Sequence, residues 1–192
     1  SYPTLIFLNP DAEEIYRYSG FYESDEFIDE AKKQPYWQDT LFLIVADHDN
    51  RVYGNNLVPV EKFHIPALII GADLEPKRIA PVASQIDLAP TLLSLLGIST
   101  ETPLTGRDFS RDATSPGRAV MQFDQYFALM QENQLTILRP QQPAVAALYD
   151  PVAKTITQLA QAPDAEQQKR ALAHVLLPSM LYREQRYRAA NP

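Results

Sequence analysis

An acidic residue and a histidine stand side by side where an apolar segment of the sequence ends. The segment LFLIVA, residues 41–46, is followed directly by Asp47 and His48. A continuous apolar run is typical of a strand buried on both faces of a parallel sheet, and ligands bind such sheets beyond the carboxyl ends of their strands. A carboxylate beside a neutral imidazole is a natural ligand pair for Zn²⁺ or Mn²⁺. From these two residues alone, two interpretations stay open: a metal site, and a polar strand end with Asp47 capping a turn and His48 solvated.

A calcium-loop interpretation of the same segment fails because three of its positions hold the wrong residue types. Asp47 and Asp49 resemble the first and third positions of an EF-hand calcium loop. That loop also needs an oxygen ligand at its fifth position, a glycine at its sixth and a glutamate at its twelfth. The sequence places Arg51, Val52 and Val58 there instead, which argues against a calcium loop of this type.

Two basic side chains follow the pair and are candidates for contact with an anionic substrate. Arg51 is close in sequence, and a guanidinium beside a metal can bind phosphate or sulfate through two N–H groups. An exposed loop arginine is the alternative. His64 precedes a second apolar run, Ile65–Ile70. If that run forms a strand parallel to the first, His64 lies at the opposite end of the sheet, where a packed or capping histidine competes with a substrate contact through the loop Asn50–Lys62.

Alternating strands and helices are expected to position these side chains. Short apolar runs bounded by turn residues predict strands, and apolar residues at helical spacing predict helices. The second helix begins at Asp87, a good N-cap residue with a structural role, and ends near Gly97. This order is typical of an α/β layered domain. The predicted elements are strands at Thr4–Leu8, Thr40–Ala46 and Ile65–Ile70, and helices at Glu23–Lys33 and Leu88–Leu96.

The pattern changes at about Thr100. Five short β-rich segments follow with brief polar connections, which predicts antiparallel hairpins. Asp164 with Gln167 has the spacing of a capping box and predicts the start of a helix, which Pro178 should kink or interrupt. The predicted strands are Ala119–Phe123, Tyr126–Met130, Leu135–Leu138, Ala147–Tyr149 and Thr155–Leu159.

Composition excludes several classes of function. The formal net charge of −7 disfavours binding to a nucleic-acid backbone. The absence of cysteine excludes disulfides, zinc–thiolate sites and a thiol nucleophile. No apolar run approaches the roughly 20 residues of a membrane span. The chain by itself is therefore expected to be soluble.

Four segments in order resemble the alkaline phosphatase and sulfatase superfamily: WQDTLFLIVADHDNRVYG, FHIPALIIG, SQIDLAPTLLSLLGI and TGRDF. More narrowly, they resemble the lipoteichoic acid synthase-like phosphoglycerol transferases. The resemblance covers about Phe21 to Phe109, and the later hairpins and helix suit the C-terminal subdomain of that family. It implies a three-layer α/β/α sandwich, present in part, with residues 1–110 as the C-terminal portion of the catalytic domain. Residues 111–192 would form a small antiparallel β subdomain with a C-terminal helix.

The resemblance also implies a reaction. Asp47 and His48 would bind the catalytic divalent metal, Mn²⁺ first, with Zn²⁺, Mg²⁺ or Ca²⁺ as alternatives. The substrate would be a phosphate or sulfate ester, and a phosphoglycerol lipid is the narrower expectation. Members of the family attack with a threonine near the start of the domain, and an acidic metal ligand precedes it. Only 46 residues precede Asp47, so both are expected upstream of this sequence; no catalytic nucleophile is assigned within it, and the chain alone should be inactive.

The parent protein is expected to be anchored in the inner membrane with its catalytic domain outside the cytoplasm, again by resemblance. Contact with a membrane would come only through an N-terminal segment outside this sequence. Two other interpretations stay open. One is a non-catalytic binding or structural module with the same fold, and the other is a different phosphodiesterase or sulfatase of the superfamily.

Overall fold

The computed structural model describes residues 4–8, 14–19, 24–47, 57–71, 73–99, 101–112, 114 and 116–187. These residues form a mixed α/β fold. The chain divides into two compact units. The first comprises Ser1–Phe42 with Ile70–Leu74, and the second comprises Leu43–Ile69 with Glu75–Pro192.

The first unit contains a β-hairpin and a helix. Strand β1 (Thr4–Leu8) pairs antiparallel with β2 (Glu14–Ser19), and helix α1 covers Ser24–Lys32. The prediction of β1 and α1 is confirmed, whereas β2 was not predicted, because the segment EIYRYS mixes charged and aromatic residues without a continuous apolar run. A 3-10 turn at Pro35–Asp39 follows α1.

Aromatic rings pack after α1. The Trp37 ring stacks on the Phe42 ring at a centroid distance of 5.5 Å, and the Phe27 ring meets Phe42 edge-on at 6.1 Å. Such pairs contribute about 0.5–1.5 kcal/mol beyond their buried area. Packing therefore accounts for Trp37.

The two apolar runs around the Asp47 segment pair with each other, but in opposite directions. They form β3 (Phe42–Val45) and β4 (Ala67–Ile70), which are hydrogen-bonded neighbours. A Cβ added to Gly71, just after β4, would lie 3.2 Å from the carbonyl oxygen of Thr40, which precedes β3. The end of β4 therefore lies beside the start of β3, as in an antiparallel pair. The expectation of parallel strands is wrong here, because a continuous apolar run reports burial and carries no information on strand direction.

The apolar runs are also less buried than predicted. Ile44 of β3 and Leu68 of β4 are 46% and 53% exposed. A sheet strand of this composition is normally covered on both faces. The described residues do not provide that cover for these two side chains.

The helix predicted between β4 and the later hairpins is confirmed. A 3-10 turn at Gln85–Asp87 runs directly into α2 (Leu88–Leu95). The chain leaves α2 through Gly97, whose φ of +72° favours glycine. Asp87 precedes α2 as expected, but its side chain makes no capping hydrogen bond to that helix.

The C-terminal half forms one antiparallel sheet, and all five predicted strands are confirmed. Its strands, in spatial order, are β5 (Arg118–Phe123), β6 (Tyr126–Gln131), β7 (Gln134–Arg139), β8 (Gln142–Asp150) and β9 (Thr155–Gln158). Leu135 and Ile137 are almost completely buried in the core of this sheet, and Val58 and Val60 join the same core from the segment after Asp47. That segment is thereby anchored to the sheet by apolar contact.

Helix α3 (Ala165–Arg183) contacts β6 and β7. Its predicted capping box is confirmed, since the Gln167 amide donates to Asp164 Oδ1 (2.8 Å) and the Asp164 amide to Gln167 Oε1 (2.9 Å). The predicted interruption at Pro178 is wrong. Proline removes one N–H donor, and the next turn remains bonded, from the amide of Glu184 to the carbonyl of Met180 (2.9 Å).

Within the residues that the structure describes, no helix combines the length and the apolar composition that crossing a membrane requires.

The Asp164→Ala substitution should lower the free energy of unfolding of the chain by about 1 kcal/mol. It removes the acceptor for the Gln167 amide at the start of α3. Urea unfolding monitored by circular dichroism measures the difference, with Asp73→Ala, at an exposed turn residue, as the matched control. Equal stability of the two variants would contradict the capping role.

Candidate functional site

Asp47 is the second residue after the end of β3 and is exposed. The carbonyls of Ala46 and Asp47 each accept a hydrogen bond of 2.9 Å from Nε2 of Gln85. Gln85 lies 38 residues from Asp47 in sequence, and no local pattern identified it as a partner. The end of β3 is therefore held by a side chain that sequence reasoning missed.

These two hydrogen bonds define the backbone at Asp47. Successive carbonyls of an extended strand point to opposite sides, so a single nitrogen cannot reach both of them. A glutamine amide carries two N–H donors, and here both carbonyls lie within reach because the chain bends at Asp47. Gln85 therefore stabilises the bend from which the Asp47 carboxylate projects.

Gln85 itself begins a turn built on a buried carboxylate. Asp87 is fully buried, and Nη1 of Arg118 contacts its Oδ1 at 2.9 Å and its Oδ2 at 3.0 Å. The amides of Ser84 (2.8 Å) and Arg107 (2.7 Å) donate to the same carboxylate. Nη2 of Arg118 donates to the carbonyl of Thr105 at 3.0 Å. A buried charge needs both an opposite charge and hydrogen bonds, and Asp87 has both.

Two buried hydroxyl groups extend this network. Ser84 Oγ donates to the Arg118 carbonyl and accepts from the Val120 amide, both at 3.0 Å. Thr91 Oγ1 donates to the Asp87 carbonyl at 2.7 Å and accepts from the Phe109 amide at 3.1 Å. Among the described residues, every buried side-chain nitrogen or oxygen has a hydrogen-bond partner. The turn, the start of α2 and β5 are therefore bound into one polar cluster.

Close backbone approach explains the glycines beside this cluster. A Cβ at Gly106 would lie 1.9 Å from the carbonyl oxygen of Ile86, and one at Gly117 would lie 1.9 Å from that of Val82. Neither position can accept a side chain without displacement of the backbone. Gly106, in the segment TGRDF, therefore lets the backbone pack closely against the turn that carries Gln85.

Of the other predicted site residues, the structure describes only His64. His64 follows a 3-10 turn at Val60–Phe63 and is exposed. Because β4 runs antiparallel to β3, His64 approaches β4 from the same end of the sheet at which Asp47 leaves β3. The prediction that His64 lies at the opposite end of the sheet assumed parallel strands and is therefore wrong. His48 and Arg51 lie outside the described residues.

The chemistry of the described residues fits part of a metal site. Asp47 offers an exposed carboxylate on a fixed backbone, which suits one oxygen ligand of a divalent cation. Across the described ranges, no group of three or more His, Asp or Glu side chains is gathered closely enough to hold a metal ion. These residues therefore supply one candidate ligand, to which His48 would add a second.

A cavity of about 490 Å³ lies elsewhere, between residues 102–105 and a face of α3 that carries Arg170, His174 and Leu177. Burial, followed by the positive charges of Arg118 and Arg107, lowers the pKa of His174 below its ordinary value. A neutral imidazole in a mostly apolar cavity is consistent with packing. The cavity shares no lining residue with the Asp47 segment.

Known proteins are similar to this chain over the residues that form this geometry. Residues 23–98 match the Sulfatase family, a range that includes Asp47, His48, His64, Gln85 and Asp87. The chain is also similar to a protein in the alkaline phosphatase superfamily from Vibrio parahaemolyticus, whose crystal structure was determined to 1.95 Å. The two are 41% identical with a TM-score of 0.76, and the match covers 86% of this chain. It covers 40% of the other protein, so this chain spans less than half of that length.

Proposed function

Because this chain belongs to the alkaline phosphatase superfamily, we propose that it forms part of a metal-dependent enzyme that transfers or hydrolyses phosphate or sulfate esters. The observation that carries the proposal is Asp47, a carboxylate on a strand end fixed by two hydrogen bonds from Gln85. The narrower proposal is a phosphoglycerol transferase, on the resemblance of the four sequence segments. The anionic group of the substrate would then reach the sheet at this end.

Asp47 and His48 are the proposed metal ligands, with Mn²⁺ as the first candidate. A bound divalent metal would supply Lewis-acid chemistry, neutralising charge on the ester and lowering the pKa of an attacking hydroxyl. Arg51 and His64 are proposed to contact the anionic group of the substrate, which an arginine can bind through two N–H groups. The nucleophile and the remaining ligands are proposed to come from residues outside this sequence.

The test uses this chain and Mn²⁺ alone. Two ligands make up at most half of a four-coordinate shell, so binding should be weak, and paramagnetic broadening of amide NMR signals detects weak binding with residue resolution. Titration with Mn²⁺ should broaden the signals of Asp47 and His48 before all others. The Asp47→Ala variant should need about tenfold more Mn²⁺ for the same effect at His48.

Asp73→Ala, which removes a different exposed carboxylate, is the matched control and should behave like the unmodified chain. Broadening spread evenly over exposed carboxylates, with no preference for Asp47 and His48, would contradict the proposed metal site. The same protein should turn over no aryl phosphate or aryl sulfate with Mn²⁺, Mg²⁺ or Zn²⁺. Turnover that Asp47→Ala abolishes would show that the nucleophile lies within this sequence.

A further inference from the structure

We propose that Gln85 is a positioning residue, which sets the direction of the Asp47 carboxylate by holding the backbone on both sides of it. This inference rests on the proposed function, because it gives Gln85 a role toward a metal ligand. The evidence is the pair of 2.9 Å hydrogen bonds from Nε2 to the carbonyls of Ala46 and Asp47. Both bonds go to main-chain oxygens, and neither involves the Asp47 carboxylate.

Gln85 acts on Asp47 through the backbone. The φ and ψ torsions of Asp47 lie between the two carbonyls that Gln85 binds, so a large change in either torsion would break at least one of the bonds. Those torsions also determine the direction of the Asp47 Cα–Cβ bond. Gln85 therefore restricts the orientation of the carboxylate without touching it.

Gln85 is itself held by ordered surroundings. For an exposed glutamine on a mobile loop, the entropic cost of ordering the residue would offset the free energy gained from its hydrogen bonds. Gln85 instead begins a turn whose other end, Asp87, is fully buried against Arg118. The turn is closed by a capping box between Ser84 and Asp87. Because this backbone is already ordered, the glutamine amide can act as a fixed support for the strand end.

The orientation of Asp47 bears on metal binding. Removing a group that orients a metal ligand typically costs 10- to 100-fold in metal affinity or activity. Gln85 orients its ligand through the main chain. Its loss should therefore weaken the metal site and leave the folded core intact.

The experiment compares Gln85→Met with Gln122→Met in this chain. Methionine keeps the length of the side chain and removes both N–H donors, and Gln122 is an exposed residue of β5. Without metal, Gln85→Met should shift the amide NMR signals of Ala46 and Asp47 and leave the thermal unfolding midpoint close to that of the control. With Mn²⁺, the concentration that half-broadens the His48 signal should rise about tenfold or more in Gln85→Met alone. A purely structural role would move the unfolding midpoint instead of this concentration.

The outcomes separate the two proposals. If the amide signals of Asp47 are the same in Gln85→Met as in the control, Gln85 does not hold this backbone and the inference is overturned. If those signals shift but the Mn²⁺ concentration that half-broadens the His48 signal matches that of the control, Gln85 holds the backbone but does not position the metal ligand, and the inference is overturned. If the unmodified chain shows no selective broadening, the metal assignment fails, while a shift of the Asp47 amide would still confirm the link to Gln85.

Discussion

Replacing Arg118 with methionine should lower the free energy of unfolding of this chain by about 3–5 kcal/mol. Asp87 is fully buried, and the Arg118 side chain, which is 4% exposed, provides its opposite charge. Removing the guanidinium leaves the carboxylate fully buried without its opposite charge. Urea unfolding, with the linear extrapolation of the free energy to water, gives the loss.

An exposed ion pair in the same chain provides the control. Lys33 and Glu30 approach to 2.6 Å, yet their side chains are 64% and 48% exposed, so Lys33→Met should cost less than about 1 kcal/mol. The double variant Asp87→Asn with Arg118→Met should lose less stability than the sum of the two single variants, because the unpaired charge is gone. A cost for Arg118→Met as small as that for Lys33→Met would contradict the structural role of the buried pair.

The second large effect is expected in the complete protein that carries this sequence. Asp47→Ala should lower its affinity for Mn²⁺ at least about tenfold. Under the proposed function, turnover of a phosphate or sulfate ester should fall by about a hundredfold or more, since a bound metal contributes several kcal/mol of transition-state stabilisation. Calorimetric titration measures the affinity. Assays with an aryl phosphate, an aryl sulfate and a phosphoglycerol lipid measure the rate and identify which class of ester is accepted.

His48→Ala should show a loss of similar size, and Asp73→Ala should match the unmodified protein. Unchanged Mn²⁺ affinity in both the Asp47 and His48 variants would remove the metal hypothesis. A loss of turnover with unchanged metal affinity would instead assign Asp47 a role toward the substrate.

Features encoded by neighbouring residues were predictable from the sequence. The five strands of the C-terminal sheet follow from short apolar runs with turn residues between them, and hairpin pairing needs no distant information. The capping box of Asp164 and Gln167 is likewise read from two residues three positions apart. In both cases the interacting groups are neighbours in the chain.

Features that depend on distant partners were not predictable in the same way. The direction of β4 relative to β3 could not be read from the apolar composition of the two runs, because that composition suits either direction. Asp87 was expected to cap α2, but its carboxylate binds Arg118, which is 31 residues away in sequence. Gln85 has no local signal at all, because its role exists only when residues 46 and 47 are brought beside it.

The burial of Val58 and Val60 in the core of the five-stranded sheet has an evolutionary consequence. An exchange of residues 111–192 between two homologous genes would give these valines a foreign surface to pack against. Such a recombinant would lose core contacts that both parents have, so a crossover near residue 111 should be selected against. Positions 58 and 60 should instead covary with their core partners, such as Met121 and Ile137. Val58, Val60 and the C-terminal sheet would then be inherited as one unit.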